Sequence, residues 1–197
     1  VAAPGPGGGP NVKIFDGSSG KELDSFLAYS KDFNGGVFVA AADVDGDGAP
    51  DIITGSDAGG GPHVEVFSGL DRKLLASFYA FDNTFSGGVR VAAADVNGDG
   101  KADIIAGAGP GGGPSVKVFD GASGKELDSF YAYSKDFDGG VFVATGDTDG
   151  DGLAEVITGP GKGGGPNVKV FQEPDHKEVA SFYAFDKEFS GGVRVAS

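Results

Sequence analysis

Short segments of alternating polar and apolar residues recur along the whole chain, each bounded by glycine, proline or aspartate. Between residues 88 and 133 these segments are GVRVAAA, DIIAG, SVKVF and KELDSFYAY. Runs of this length that are rich in Val, Ile and Phe and flanked by turn residues predict β-strands. No run of ten or more residues keeps a 3.6-residue apolar period, so the pattern predicts no helix.

The strand pattern repeats every 52 residues without a gap, since the similar segments DVDGDG, DVNGDG and DTDGDG begin at Asp43, Asp95 and Asp147. A period of this length is typical of repeat architectures. Four short antiparallel strands per repeat are typical of a propeller blade. The sequence therefore predicts an all-β fold, a β-propeller of four four-stranded antiparallel blades in one domain, 1–197. The predicted repeats are 1–52, 53–104, 105–156 and 157–197.

Residue size predicts the order of the strands within a blade. The GGVRVAAA segment carries small residues that suit the crowded axis, whereas KELDSFYAY carries rings that fill the wider space between blades. The last repeat ends where its acidic loop would begin, and Val1 aligns with Ile53. We therefore expect residues 1–3 to pair with residues 193–196, which closes the ring and removes exposed strand edges.

Two assemblies satisfy this pairing. One is a closed four-bladed monomer, and the other is a dimer in which two chains form an eight-bladed ring. The second arises naturally because repeats one and three resemble each other, as do repeats two and four. The monomer is the preferred prediction, since association of two chains costs translational and rotational entropy.

The charge balance narrows the class of partner. The 197 residues carry 29 acidic and 15 basic side chains, a formal net charge of -14. Such acidity argues against nucleic acid as a partner. No apolar run approaches the length needed to cross a bilayer, so membrane insertion is not expected. The chain has no cysteine, which excludes disulfides and thiolate metal sites.

The three acidic loops carry the candidate chemistry. Each follows the pattern D-x-[DN]-x-D-G-x-x-[DE], which points alternate side chains of a tight turn toward one centre. Acidic or amide oxygens at positions 1, 3, 5 and 9, with the backbone carbonyl of position 7, are the hard ligands that calcium prefers. Glycine at position 6 permits the sharp turn. The predicted ligands are Asp43, Asp45, Asp47, Ala49 and Asp51; Asp95, Asn97, Asp99, Lys101 and Asp103; and Asp147, Asp149, Asp151, Leu153 and Glu155.

Three other interpretations of these loops are an EF-hand, a magnesium site and an acidic turn without metal. An EF-hand loop needs a bidentate Glu at position 12, but that position holds Thr54, Ala106 and Thr158, and the flanks are predicted strands. Magnesium seldom uses an all-protein cage of carboxylates. A solvated acidic turn without metal remains the simplest alternative. The predicted ligands include eleven of the 29 acidic residues, and carboxylates this close repel one another unless a cation binds.

Residues 85–110, FSGGVRVAAADVNGDGKADIIAGAGP, resemble the FG-GAP repeat of integrin alpha-chain propellers and their bacterial relatives. The resemblance extends over all four repeats. In that family the acidic loop joins the two innermost strands of a blade and binds calcium, which implies three calcium sites here. The fourth repeat lacks its loop, and four blades are fewer than the integrin propellers have.

No catalytic arrangement is predicted. His63 and His176 occupy different repeat positions and are expected at the surface, so neither a triad nor a histidine metal cluster is supported. The GPGGGP turns lack the ending of a phosphate-binding loop. Arg90 and Arg194 alternate with Phe38 and Phe142 on the predicted inner strands. These four side chains either line a channel mouth that binds an anionic or sugar ligand, or reflect a packing difference between duplicated blades.

The sequence thus predicts a non-enzymatic, calcium-binding propeller that is secreted or displayed at the cell surface. Its predicted role is adhesion, protein interaction or scaffolding. The alternative is a carbohydrate-binding propeller, part of a polysaccharide-active protein. Calcium is the predicted cofactor, and the ligand is either a protein or a glycan.

Overall fold

The computed structural model describes residues 1–196. This part of the chain contains strands and turns but no helix, and hence no helix that could cross a membrane. The predicted segments become strands with small changes at their ends, and SVKVF forms β9 over its whole length. In chain order the strands are β1 (Asn11–Phe15), β2 (Glu22–Leu27), β3 (Val37–Ala42), β4 (Asp51–Ser56), β5 (His63–Phe67), β6 (Leu74–Tyr79), β7 (Val89–Ala94), β8 (Asp103–Ala108), β9 (Ser115–Phe119), β10 (Glu126–Tyr131), β11 (Val141–Gly146), β12 (Glu155–Pro160), β13 (Asn167–Gln172) and β14 (Lys177–Tyr183).

The strands form antiparallel sheets of consecutive strands. Sheet 2 contains β3 to β6, sheet 3 contains β7 to β10 and sheet 4 contains β11 to β14, each in sequence order. Sheet 1 contains only β1 and β2. The predicted four-stranded antiparallel unit is therefore confirmed for three repeats, whereas the first sheet has two strands and one isolated bridge, between Ala2 and Lys13.

Sheet 1 is smaller because the two segments at the chain ends do not form a ladder with each other. Within residues 1–196, no ladder pairs residues 1–3 with residues 193–196, so sheet 1 lacks the inner strand that the sequence predicted. Residues 193–196 nevertheless lie beside sheet 4, at the place where the predicted inner strand of sheet 1 belongs. An equivalent hydrogen bond shows this placement. The amide of Val193 donates to the carbonyl of Pro160 at 2.8 Å, as the amide of Val37 donates to that of Pro4 at 3.0 Å.

The predicted order of strands within a sheet is confirmed. The inner strands β3, β7 and β11 lie side by side, and with residues 195–196 they surround one narrow cavity at the axis. Its walls are small side chains such as Ala40, Ala92 and Ala144. The Gly and Ala content of these strands lets them approach one another closely, while β2, β6, β10 and β14 form the outer edges.

The hydrophobic core lies between neighbouring sheets. Ile53, Val64 and Val66 of sheet 2 pack against Val89 and other residues of sheet 3. A second cluster joins sheet 3 to sheet 4, and a third joins sheet 1 to sheet 2. Sheets 2 and 3 thus bury both faces against their neighbours, as blades of a propeller do, whereas sheets 1 and 4 each bury one face.

One aromatic contact recurs at each of these interfaces. A phenylalanine near the end of an outer strand packs against a phenylalanine of the next sheet, with ring centroids 4.8 to 5.0 Å apart. The fourth pair in this series would be Phe182 with Phe15, but these residues are 53% and 39% exposed. The face of sheet 4 that carries Phe182 is therefore uncovered in this structure, as is the facing edge of sheet 1. The pairs that do form are Phe26 with Phe67, Phe78 with Phe119, and Phe130 with Phe171.

Candidate metal centres in the acidic loops

Each acidic loop connects the two innermost strands of a four-stranded sheet. The loops follow β3, β7 and β11, and the position-9 acid is the first residue of β4, β8 or β12. Position 1 directly follows the preceding strand, so both ends of every loop are held by a sheet ladder. The sheet therefore fixes the two ligands that lie at the ends of each loop.

The position-1 aspartate organises each turn by accepting two backbone amides. Asp43 accepts the Gly46 amide at 2.7 Å and the Gly48 amide at 2.8 Å through its two carboxylate oxygens. The same two bonds recur at Asp95 and Asp147. These bonds, first of all the one from Gly48, lower the pKa of Asp43 below its usual value.

Glycine at position 6 is required by the turn. Gly48 adopts a φ of +87°, and its counterparts Gly100 and Gly152 adopt +84° and +95°. These values lie in the left-handed region, where side chains with a Cβ are strained. The loop geometry agrees with the role that the sequence predicted for this position.

The position-9 carboxylates are buried at the base of the loops. Asp51, Asp103 and Glu155 are each almost completely inaccessible to solvent. Each accepts the backbone amide of position 2, and Asp51 also accepts the Gly69 amide at 2.9 Å. Burial raises the pKa of Asp103 to about 6, with further contributions from the nearby charges of Asp99 and Asp95.

Two of the loops bring carboxylate oxygens together. One oxygen each of Asp43, Asp45 and Asp51 lies within 4.8 Å of the others, and the same is true of Asp147, Asp149 and Glu155. In the described residues no Lys or Arg forms an ion pair with any of these six carboxylates. The repulsion among these acids is therefore not offset by a protein cation.

The second loop differs at position 3. Asn97 donates from its amide nitrogen to Asp103 at 3.0 Å, while its oxygen accepts the Asp99 amide at 2.9 Å. The amide nitrogen thus stands where the other loops present a carboxylate oxygen. Rotation of the Asn97 side chain by half a turn would direct its oxygen to Asp103 and the loop centre.

The remaining predicted ligands lie on the outer part of the turns. The position-5 carboxylates of Asp47, Asp99 and Asp151 accept the amide of position 7 at 2.8 to 2.9 Å. Asp47 and Asp151 do not belong to the close carboxylate groups. The position-7 residues are Ala49, Lys101 and Leu153, whose predicted contribution is a backbone carbonyl.

The three loops contact one another along one edge of the molecule. The Ala102 amide of the second loop donates to the carbonyl of Asp43 at 2.9 Å, and the Ala154 amide donates to that of Asp95 at 3.0 Å. The inner strands thus lie so close together that neighbouring loops share backbone hydrogen bonds.

Sequence reasoning missed a cluster between sheets 3 and 4. His176 Nε2 lies 3.3 Å from Asp128, and His176 Nδ1 lies 3.4 Å from Glu173, whose side chain is only 4% exposed. Asp24 and Arg72 occupy the same positions two repeats earlier and form an ion pair at 2.8 Å. The sequence signal for this cluster is a local departure from the repeat. The fourth repeat has QEPDHK where the second repeat has SGLDRK.

The two histidines, expected at the surface, are each partly exposed there and also pack against an aromatic ring. His176 packs against the Phe130 ring at a centroid distance of 4.8 Å, and His63 lies 5.0 Å from the Tyr79 ring. Both side chains are partly buried between sheets. Their different repeat positions gave no hint that each would face an aromatic residue.

Comparison with known proteins identifies the repeat. Residues 87–124 match the family model of the FG-GAP repeat. This confirms the resemblance drawn from the sequence, and the matched segment contains the second acidic loop. No curated protein matches the chain.

Solved structures share the fold. The exotype rhamnogalacturonan lyase YesX superposes with a TM-score of 0.58 at 16% identity, over 83% of this chain and 39% of that one. A rhamnogalacturonan lyase from Bacillus licheniformis gives 0.58 at 16% identity, over 86% and 42%. A protein of unknown function from Bacteroides caccae gives 0.55 at 11% identity, over 93% and 57%. The chain thus has a propeller-like all-β fold and spans less than two thirds of each of these proteins.

Proposed function

We propose that this chain, in which residues 87–124 form an FG-GAP repeat, is a calcium-binding module of a secreted or cell-surface protein. Its role in that protein is adhesion, protein interaction or scaffolding, and it is not itself an enzyme. The convergence of three carboxylates in the first and third acidic loops carries the proposal.

The chemistry of the loops fits a hard divalent cation. Calcium takes six to eight oxygen ligands, and each loop offers side-chain oxygens at four positions together with a backbone carbonyl. The buried position-9 carboxylates have no protein cation beside them in the described residues, although burying an unpaired charge is costly. A bound cation would offset that cost and the repulsion within each loop.

All three loops are proposed to bind calcium, including the second. Its Asn97 is a standard oxygen ligand once the amide is turned, and it lowers the negative charge of that site by one. The second site is therefore expected to be the weakest of the three.

Calorimetric titration tests the proposal directly. Protein freed of metal by a chelator should bind three equivalents of calcium, and magnesium should bind far more weakly. A flat calcium titration would show that the loops are solvated acidic turns.

The proposed location follows from the metal. Extracellular calcium modules bind with dissociation constants of about 10⁻⁴ to 10⁻³ M, a range suited to the calcium outside cells. The FG-GAP match and the lyase-like fold are consistent with an extracellular domain.

A carbohydrate-binding role is the second candidate function. The structural neighbours include rhamnogalacturonan lyases, and the chain covers about two fifths of each of those compared. A domain of that size could bind polysaccharide within a larger protein. The channel-mouth residues predicted from the sequence lie together in this structure, which favours this candidate.

We further propose that the uncovered faces of sheets 4 and 1 pair with each other. Phe182 and Phe15 repeat the residues that meet at every other interface, and Ala3 and Val195 line one shared cavity near the inner strands. Closure within one chain remains the preferred form, with a two-chain ring as the competing assembly.

A further inference from the structure

Arg90 is an unusual residue on an inner strand. It is the second residue of β7, at the opposite end of the strand from the acidic loop, about 15 Å away at the rise of an extended strand. The residue is only 8% exposed. One terminal nitrogen donates to the Ala108 carbonyl at 2.7 Å, but the buried Nε has no hydrogen-bond partner among residues 1–196.

Aromatic rings hold Arg90 in place. Its guanidinium lies 4.3 Å from the centre of the Phe142 ring and 5.9 Å from that of Phe38. The guanidinium of Arg194 lies 5.6 Å from the same Phe142 ring. Burial lowers the pKa of Arg90 to about 10, and the positive charge of Arg194 adds to this effect. The guanidinium groups of Arg90 and Arg194 thus both lie near the Phe142 ring, close enough to repel each other.

Arg90 and Arg194 both line a cleft of about 850 Å³. Lys162 stands on its wall with Arg90 and Arg194, and glycines of the neighbouring loops form much of the remainder. Within residues 1–196 none of these three cations forms an ion pair with a carboxylate. Asp138 also lines the cleft, and Asp57 exerts an attractive charge effect on Arg90. In a chain of net charge -14, this concentration of unpaired cations indicates an anion as the ligand.

We propose that this cleft binds a carboxylate-bearing sugar, a hexuronate unit of an acidic polysaccharide. Guanidinium groups bind carboxylates through paired, charge-assisted hydrogen bonds. The exposed part of the Phe142 ring offers an apolar surface for the face of a sugar ring. The volume is in the range of small-ligand sites and suits two or three sugar units. The inference rests on the second candidate function and names its ligand class.

Titration with trigalacturonate, followed by protein NMR, tests the site. Neutral galactotriose of the same length is the comparison ligand. Trigalacturonate should bind, the neutral sugar should bind at least about ten-fold more weakly, and binding should weaken as salt is raised. Arg194→Gln should lower the affinity about ten-fold. Arg194 is exposed, so its loss should leave the fold intact.

Lys21→Gln is the matched control, because Lys21 is an exposed cation on an outer hairpin far from the cleft in the strand order. It removes the same charge and should leave the affinity unchanged. Equal binding of both sugars, or equal loss in both variants, would overturn the uronate site. Tight binding of galactotriose at the cleft would retain the carbohydrate function but reject the charged ligand.

The effect of calcium on uronate binding must be measured separately, because calcium in an acidic loop can also bind the carboxylate of the sugar. The titrations are run with chelator and with calcium, on samples whose thermal stability is measured in parallel. Uronate binding that needs calcium and is lost in Asp47→Ala, but not in Arg194→Gln, would place the ligand at the acidic loops and overturn the cleft. If calcium stabilises the protein but uronate does not bind, only the proposed uronate site is overturned. If uronate binds but calcium does not stabilise the protein, only the metal proposal is overturned.

Discussion

At the scale of single residues, the position-9 acids show how burial and hydrogen bonding combine in the loops. Asp51 has no exposed surface, yet both of its oxygens accept backbone amides, from Val44 and Gly69. These bonds orient the carboxylate without neutralising its charge. A cation that binds as proposed would meet a carboxylate whose orientation these bonds already fix.

The first prediction concerns one ligand. Asp47→Ala removes the position-5 carboxylate of the first loop, and this loop should lose most of its calcium affinity while the other two keep theirs. Calorimetry should then count two calcium equivalents. Asp136→Ala, at an exposed acid outside the loops, is the control and should keep three. Three unchanged sites in Asp47→Ala would remove Asp47 from the ligand set.

The second prediction concerns Glu173. Burial raises the pKa of this carboxyl, against a smaller opposing effect of His176. A raised folded-state pKa means that stability is lost as pH rises from the ordinary carboxyl value through the raised one. Glu173→Gln should therefore raise the melting temperature at pH 7, and the gain should disappear near pH 4.

The control for Glu173 is Glu188→Gln, at an exposed position, which should change the melting temperature little at either pH. A lower melting temperature for Glu173→Gln at pH 7 would mean that the ionised carboxylate is stabilised by His176 more than it is penalised by burial.

At the scale of strands and sheets, the sequence predicted most of what the structure contains. The alternation of SVKVF and the β-branched DIIAG were sufficient to define β9 and β8, because glycine and aspartate turns bound both segments. KELDSFYAY was predicted two residues too long at its C-terminal end, since Ala132 and Tyr133 leave the ladder. The aromatic content of that segment reflects its packing between sheets and not a longer strand.

Contacts between sheets were less predictable. His176 replaces Arg72 of an earlier repeat, and only the structure shows that it faces Asp128 and Glu173. The sharing of hydrogen bonds between neighbouring acidic loops was also missed, because sequence spacing does not measure how closely inner strands approach. Both features depend on the distance between blades, which a 52-residue period does not encode.

The third prediction uses two equivalent phenylalanines. Phe78 packs against Phe119 at 4.8 Å, whereas Phe182 is 53% exposed. In either ring that we propose, the face of sheet 4 is covered in solution, so Phe78→Ala and Phe182→Ala should each cost about 2 to 3 kcal/mol. Chemical denaturation of the two variants measures both values. A loss well under about 1 kcal/mol for Phe182→Ala alone would show that the face of sheet 4 stays uncovered in solution.

At the scale of the whole molecule, the repeats alternate in how they contact one another. The interface between sheets 1 and 2 has the Asp24 to Arg72 pair, and the interface between sheets 3 and 4 has Asp128 with His176. In the described part of the chain the interface between sheets 2 and 3 has no such pair, and Gly124 lies beside Phe78. The free faces carry the equivalents of this uncharged pair. Phe182 of sheet 4 corresponds to Phe78, and Gly20 of sheet 1 corresponds to Gly124.

The fourth prediction follows from this match. The free faces should pair as sheets 2 and 3 do, either within one chain or between two chains. Light scattering at micromolar concentration should give a mass near 19.6 kDa for the closed monomer. A stable mass of twice that value would identify the two-chain ring, and the Phe182→Ala variant should then dissociate it.

Calcium bound as proposed should stabilise the fold, and the melting temperature measures this stabilisation most directly. A ligand that binds only the folded state adds about 2.7 kcal/mol per site at a hundredfold excess over its dissociation constant. For a chain of this length, three such sites should raise the melting temperature by more than about 10 °C between chelator and excess calcium. Magnesium at the same concentration should have a much smaller effect. An identical melting temperature in chelator and in calcium would contradict the account.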